Sequence, residues 1–84
     1  MANLSINTNI NIHQIVSIND LREKYYNGTK LTEEERIALE RFDRYRLEQL
    51  NSQKSEELFH KEYLRLQILS NLNHYTEFLQ EKFQ

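Results

Sequence analysis

Only one stretch of this chain has the rhythm of a β-strand. From Leu4 to Ile12, the apolar residues Leu4, Ile6, Ile10 and Ile12 are set among Ser5, Asn7, Asn9 and Asn11. This period-two alternation suits a strand with one side on an apolar surface. Nothing downstream alternates in the same way, so the chain cannot assemble a sheet from its own residues. From Ser17 onward the apolar residues recur at helical spacing instead. The expected fold is therefore all-α: a small bundle of three or four helices with an extended, strand-like N-terminal arm.

Charge divides the chain at the same place. Residues 1–16 contain no Asp, Glu, Lys or Arg, whereas the remainder is richly charged. The arm is read as 1–16 and the helical body as 17–84, with helices at about 18–26, 33–50, 55–70 and 73–83. Ser17-Ile18-Asn19-Asp20 forms an N-cap with an acidic residue three positions on, followed by Ile18, Leu21 and Tyr25 at helical spacing. Asn27-Gly28 closes that helix, and Gly28 is the single glycine of the chain. Thr32-Glu33-Glu34-Glu35 is a capping box that opens the next helix, with carboxylates in the turn where the helix dipole favours them. Ala38, Leu39, Phe42, Tyr45 and Leu50 then fall on one side of that helix.

The helix expected over 55–70 has apolar residues on two sides. Leu58, Phe59, Tyr63, Leu66 and Leu69 make one face; Leu64, Ile68, Leu72, Tyr75, Leu79 and Phe83 gather nearly opposite. A helix apolar on both sides has neighbours on both sides. The second face requires either a break near Ser70-Asn71-Leu72-Asn73, which folds a fourth helix back on the core, or another protein chain. Neither long helix sustains a and d positions over several heptads, which argues against a long coiled coil.

With 84 residues, one domain buries only roughly 60% of the surface its unfolded chain exposes. An internal active-site cavity would burden so small a core. Cysteine is absent, which removes disulfides, a thiol nucleophile and cysteine-based zinc sites. No Gly-x-Ser-x-Gly, Walker loop or Gly-rich dinucleotide turn occurs. Paired carboxylates stand at helix starts, where capping explains them. Glu57 and His60 have the Glu-x-x-His spacing of di-iron bundles, but a single copy could make a metal site only across a dimer. His13, His60 and His74 lie in separate segments without metalloprotease spacing. The chain reads as a non-enzyme, with no cofactor, metal ligand or catalytic residue assigned.

Two binding readings follow. In the first, the chain is a protein-binding or assembly subunit of a larger complex, such as a viral or phage particle or an inhibitor of a host enzyme. Its partner is another protein or a second copy. The contact residues would be Leu4, Ile6, Ile10 and Ile12 of the arm, completed by β-augmentation, with Leu64, Ile68, Leu72 and Tyr75 of the two-sided helix. Arg46, lying toward the apolar side, would be an interface anchor, since arginine is enriched at energetic hot spots. The arm has a plainer reading too, as an unpaired Asn-rich tail. In the second reading, Arg41, Arg44, Lys61 and Arg65 form a nucleic-acid patch. A net charge of −2 and the helical offset of Arg41 and Arg44 from Phe42 and Tyr45 weigh against it. Glu40, Arg44 and Glu48 are spaced for a ladder of ion pairs. No stretch approaches the roughly 20 apolar residues of a membrane span, and no secretory pattern opens the chain. The expected location is the cytoplasm or a particle assembled there.

Overall fold

The computed structural model describes residues 15–83, which are all-helical with no strand. The arm residues Leu4, Ile6, Ile10 and Ile12, and His13, lie outside the described residues. Three α-helices follow in order, α1 (Ile18–Tyr26), α2 (Glu33–Asn51) and α3 (Glu56–Leu72), and then two short 3-10 helices, Tyr75–Leu79 and Glu81–Phe83.

Local chemistry sets the first two helix starts. The Ser17 hydroxyl accepts from the Asp20 N–H at 3.2 Å, and the Asp20 carboxylate accepts from the Ser17 N–H at 2.9 Å. The same reciprocal box joins Thr32 and Glu35, at 3.1 and 2.9 Å. Helix α1 ends in a Schellman motif: Gly28 takes φ +81°, Thr29 N–H donates to Lys24 C=O at 2.9 Å, and Gly28 N–H donates to Tyr25 C=O at 3.1 Å. A Cβ at Gly28 would meet no neighbour, so glycine serves the left-handed backbone there and not a close approach. Only Ile18 and Leu21 of α1 are buried; Tyr25 lies at the surface.

The core is formed by Ile18 and Leu21 of α1, Ala38, Phe42 and Leu50 of α2, Leu66 of α3, and Phe78 of the first 3-10 helix. Phe42 and Phe78 meet edge to face, 5.0 Å between ring centres, and Phe83 adds a ring 4.8 Å from Phe78. Such pairs contribute about 0.5–1.5 kcal/mol beyond the area they bury.

Two features of the chain's second half differ from the sequence expectation. Helix α3 continues through Leu72, and 73–83 is not an α-helix. The Phe78 and Leu79 carbonyls, which an α-helix would offer to the N–H groups of Lys82 and Phe83, instead accept from Arg41 Nη1 at 3.4 and 3.0 Å. Asn73 and Gln80 have extended backbones at the two breaks. Tyr75, Leu79 and Phe83, grouped by helical spacing with Leu64 and Ile68, therefore leave that face and pack against the core. In α3 only Leu66 is buried; Leu58, Phe59 and Tyr63 remain exposed, so the first half of this helix projects past the core.

Candidate protein-binding face and basic cleft

Leu64, Ile68 and Leu72 form a ridge at i, i+4 and i+8 on the outer side of α3. They are 45, 59 and 67% exposed, and no described element covers them. Isolated surface leucines are ordinary, whereas an aligned set on one helix is the form of a contact surface. Charged pairs border the ridge. Lys61 lies 3.6 Å from Glu57, and Arg65 grips Glu62 at 2.5 Å. Arg65 also donates to the Tyr45 hydroxyl at 3.0 Å. The Arg65 hydrogen bond holds the Glu62 carboxyl below its ordinary range, and Glu62 and Tyr45 together raise Arg65. Tyr75 does not join the ridge: its N–H donates to Val16 C=O at 2.8 Å, and its ring stacks on His74.

The cations of the nucleic-acid reading are engaged inside the chain. Arg41 holds the Phe78 and Leu79 carbonyls, and Arg44 donates to Phe83 C=O at 2.9 Å. Arg65 is committed to Glu62 and Tyr45. Only Lys61, weakly paired to Glu57, extends into solvent without a hydrogen bond among the described residues. The ladder expected through Glu40, Arg44 and Glu48 is replaced by one around Arg36, which pairs with Glu33 at 2.6 Å and Glu40 at 2.7 Å. Glu57 and His60 are both exposed, and no three potential metal-ligating side chains gather among the described residues. No described helix is long and apolar enough to cross a membrane.

Arg46 occupies a different setting from the other cations. It lines a cleft of about 180 Å³ where α1, α2 and α3 meet. Arg22 stands on the opposite helix; Phe42, Leu66 and Tyr63 give the cleft apolar walls, and Asn19, Gln67 and Asn71 give it amides. Asn19 donates to the Asn71 side chain at 2.7 Å, tying α1 to α3 at the rim. Arg22 pairs with Asp43 through Nη2, and its guanidinium lies 5.8 Å from the Phe42 ring centre. The Nε atoms of Arg22 and Arg46 are both buried without a hydrogen-bond partner. An orphaned buried donor costs about 1–3 kcal/mol. Arg46 forms no hydrogen bond or ion pair among the described residues.

Sequence reasoning located Arg46 on the apolar side but missed Arg22 and Phe78. Phe78 follows Tyr75 by three residues, the 3-10 repeat, and that spacing was the available signal. Arg22 had none, because its partners Asp43 and Phe42 come from another helix. No family model matches the chain, and neither a curated protein nor a solved structure matches it.

Proposed function

We propose that the chain works by binding protein, as a non-catalytic assembly or accessory subunit of a larger complex. The observation that carries this reading is the uncovered ridge of Leu64, Ile68 and Leu72 on α3. Those side chains are unneeded by the core, which closes through Leu66 on the other side of the helix. Burying them against a partner would contribute roughly 25 cal/mol per Å² of apolar surface removed from water. The arm residues Leu4, Ile6, Ile10 and Ile12 enter the proposal through their sequence pattern alone. Nucleic-acid binding has less support, because Arg41, Arg44 and Arg65 are occupied by internal acceptors.

The test is a double substitution, Leu64→Glu with Ile68→Glu, in the full chain. Being exposed in the free chain, these positions should tolerate glutamate with stability changed by only about 0.5 kcal/mol. Partners recovered with the wild-type chain from its native source should be lost, and a self-associated form should fall to a monomer by light scattering. Recovery of the same complex at full occupancy would remove the ridge from the interface.

A further inference from the structure

We propose that the cleft between α1, α2 and α3 is a carboxylate site, built to receive an acidic side chain of a protein partner on the Arg46 guanidinium. The proposal rests on the protein-binding reading and adds to it the chemistry of one contact. Three observations carry it. Arg46 brings a positive charge with no counter-ion among the described residues, and no carboxylate lines the cleft. Arg46 and Arg22 both line the cleft, and the Nε donor of each is buried and unpartnered within the fold, so neither side chain is fully satisfied by the chain's own acceptors. The space, about 180 Å³, is below the usual range of cofactor pockets and suits a single side chain.

Charge and shape select the ligand within the class of oxyanions. Asp43 already offsets Arg22, which leaves the cleft with the single uncompensated charge of Arg46. That suits a monoanion better than a doubly charged phosphate. The two oxygens of a planar carboxylate match the forked donors of a guanidinium. Phe42, Leu66 and Tyr63 would flank the methylene stem of a glutamate, and the amide of Gln67 lines the same wall.

The experiment follows the arginine Nε–H resonances of the full ¹⁵N-labelled chain. The probe is an acetylated and amidated Ala-Glu-Ala peptide, with its Gln counterpart and inorganic phosphate as comparisons at matched ionic strength. The Glu peptide should shift the Arg46 and Arg22 resonances saturably, with affinity on the order of millimolar. Arg46→Gln should weaken that binding about tenfold or more. If Arg46→Gln does not fold, the wild-type contrast between the Glu and Gln peptides decides the matter. Equal shifts from the Gln peptide, larger shifts from phosphate, or unchanged binding in a folded Arg46→Gln chain would each overturn the site. The protein-binding reading is tested separately on the ridge: loss of the native complex in the Leu64→Glu, Ile68→Glu chain, together with failure of the peptide titration, would keep that reading and reject the cleft.

Discussion

Glu35 concentrates several roles in one carboxylate. It is 6% exposed, accepts the Thr32 N–H, and receives Lys24 of α1 at 2.9 Å. The Thr32 bond, with the Lys24 bond second, holds its carboxyl below the ordinary value of 4.5 against the opposing pull of burial. A group whose folded value is depressed stabilises the fold above its unfolded value and loses that contribution as pH falls through the folded one. Urea midpoints should therefore be flat at neutral pH and decline below about 4.5, and Glu35→Gln should remove part of that decline while lowering stability at neutral pH. Thr32→Ala should cost about 1 kcal/mol in the same assay through loss of the cap. The two losses should not add, because both residues belong to one pair of bonds.

Among the elements, the terminal 3-10 segment is the one whose conformation depends on a distant residue. Phe78→Ala should cost about 3–5 kcal/mol, most of what a domain this small has to spare. Urea titration would measure it. Arg41→Ala should do less harm to the whole. Its signature should be faster amide exchange confined to 75–83, as the Phe78 and Leu79 carbonyls lose their donor. The starts of α1 and α2 were legible because Ser17 pairs with Asp20, and Thr32 with Glu35, each only three residues along the chain. The form of 75–83 was not, because Arg41 stands 37 residues before the Phe78 carbonyl it takes. The same limit hid half of the cleft. Arg46 could be read from its side of α2, but its companion Arg22 becomes visible only when α1 is laid across that helix.

For the molecule as a whole, the distribution of charge predicts weak traffic with polyanions. Binding to phosphates releases counterions and gives a steep salt dependence, but here the arginines expected to do so are tied to carbonyls, Glu62 and Tyr45. Heparin should release the chain at low salt, without a steep dependence of retention on ionic strength. The closure of the core has a consequence in time. Phe78 fills the centre beside Phe42, and the bond from Tyr75 to Val16 joins segments far apart in sequence. Contacts of long sequence separation form late. During biosynthesis, α1 and α2 emerge with Phe42 lacking its aromatic partner until translation has passed Phe78. A nascent chain stalled short of that codon would carry capped helices around an open centre, a natural substrate for chaperones and proteases.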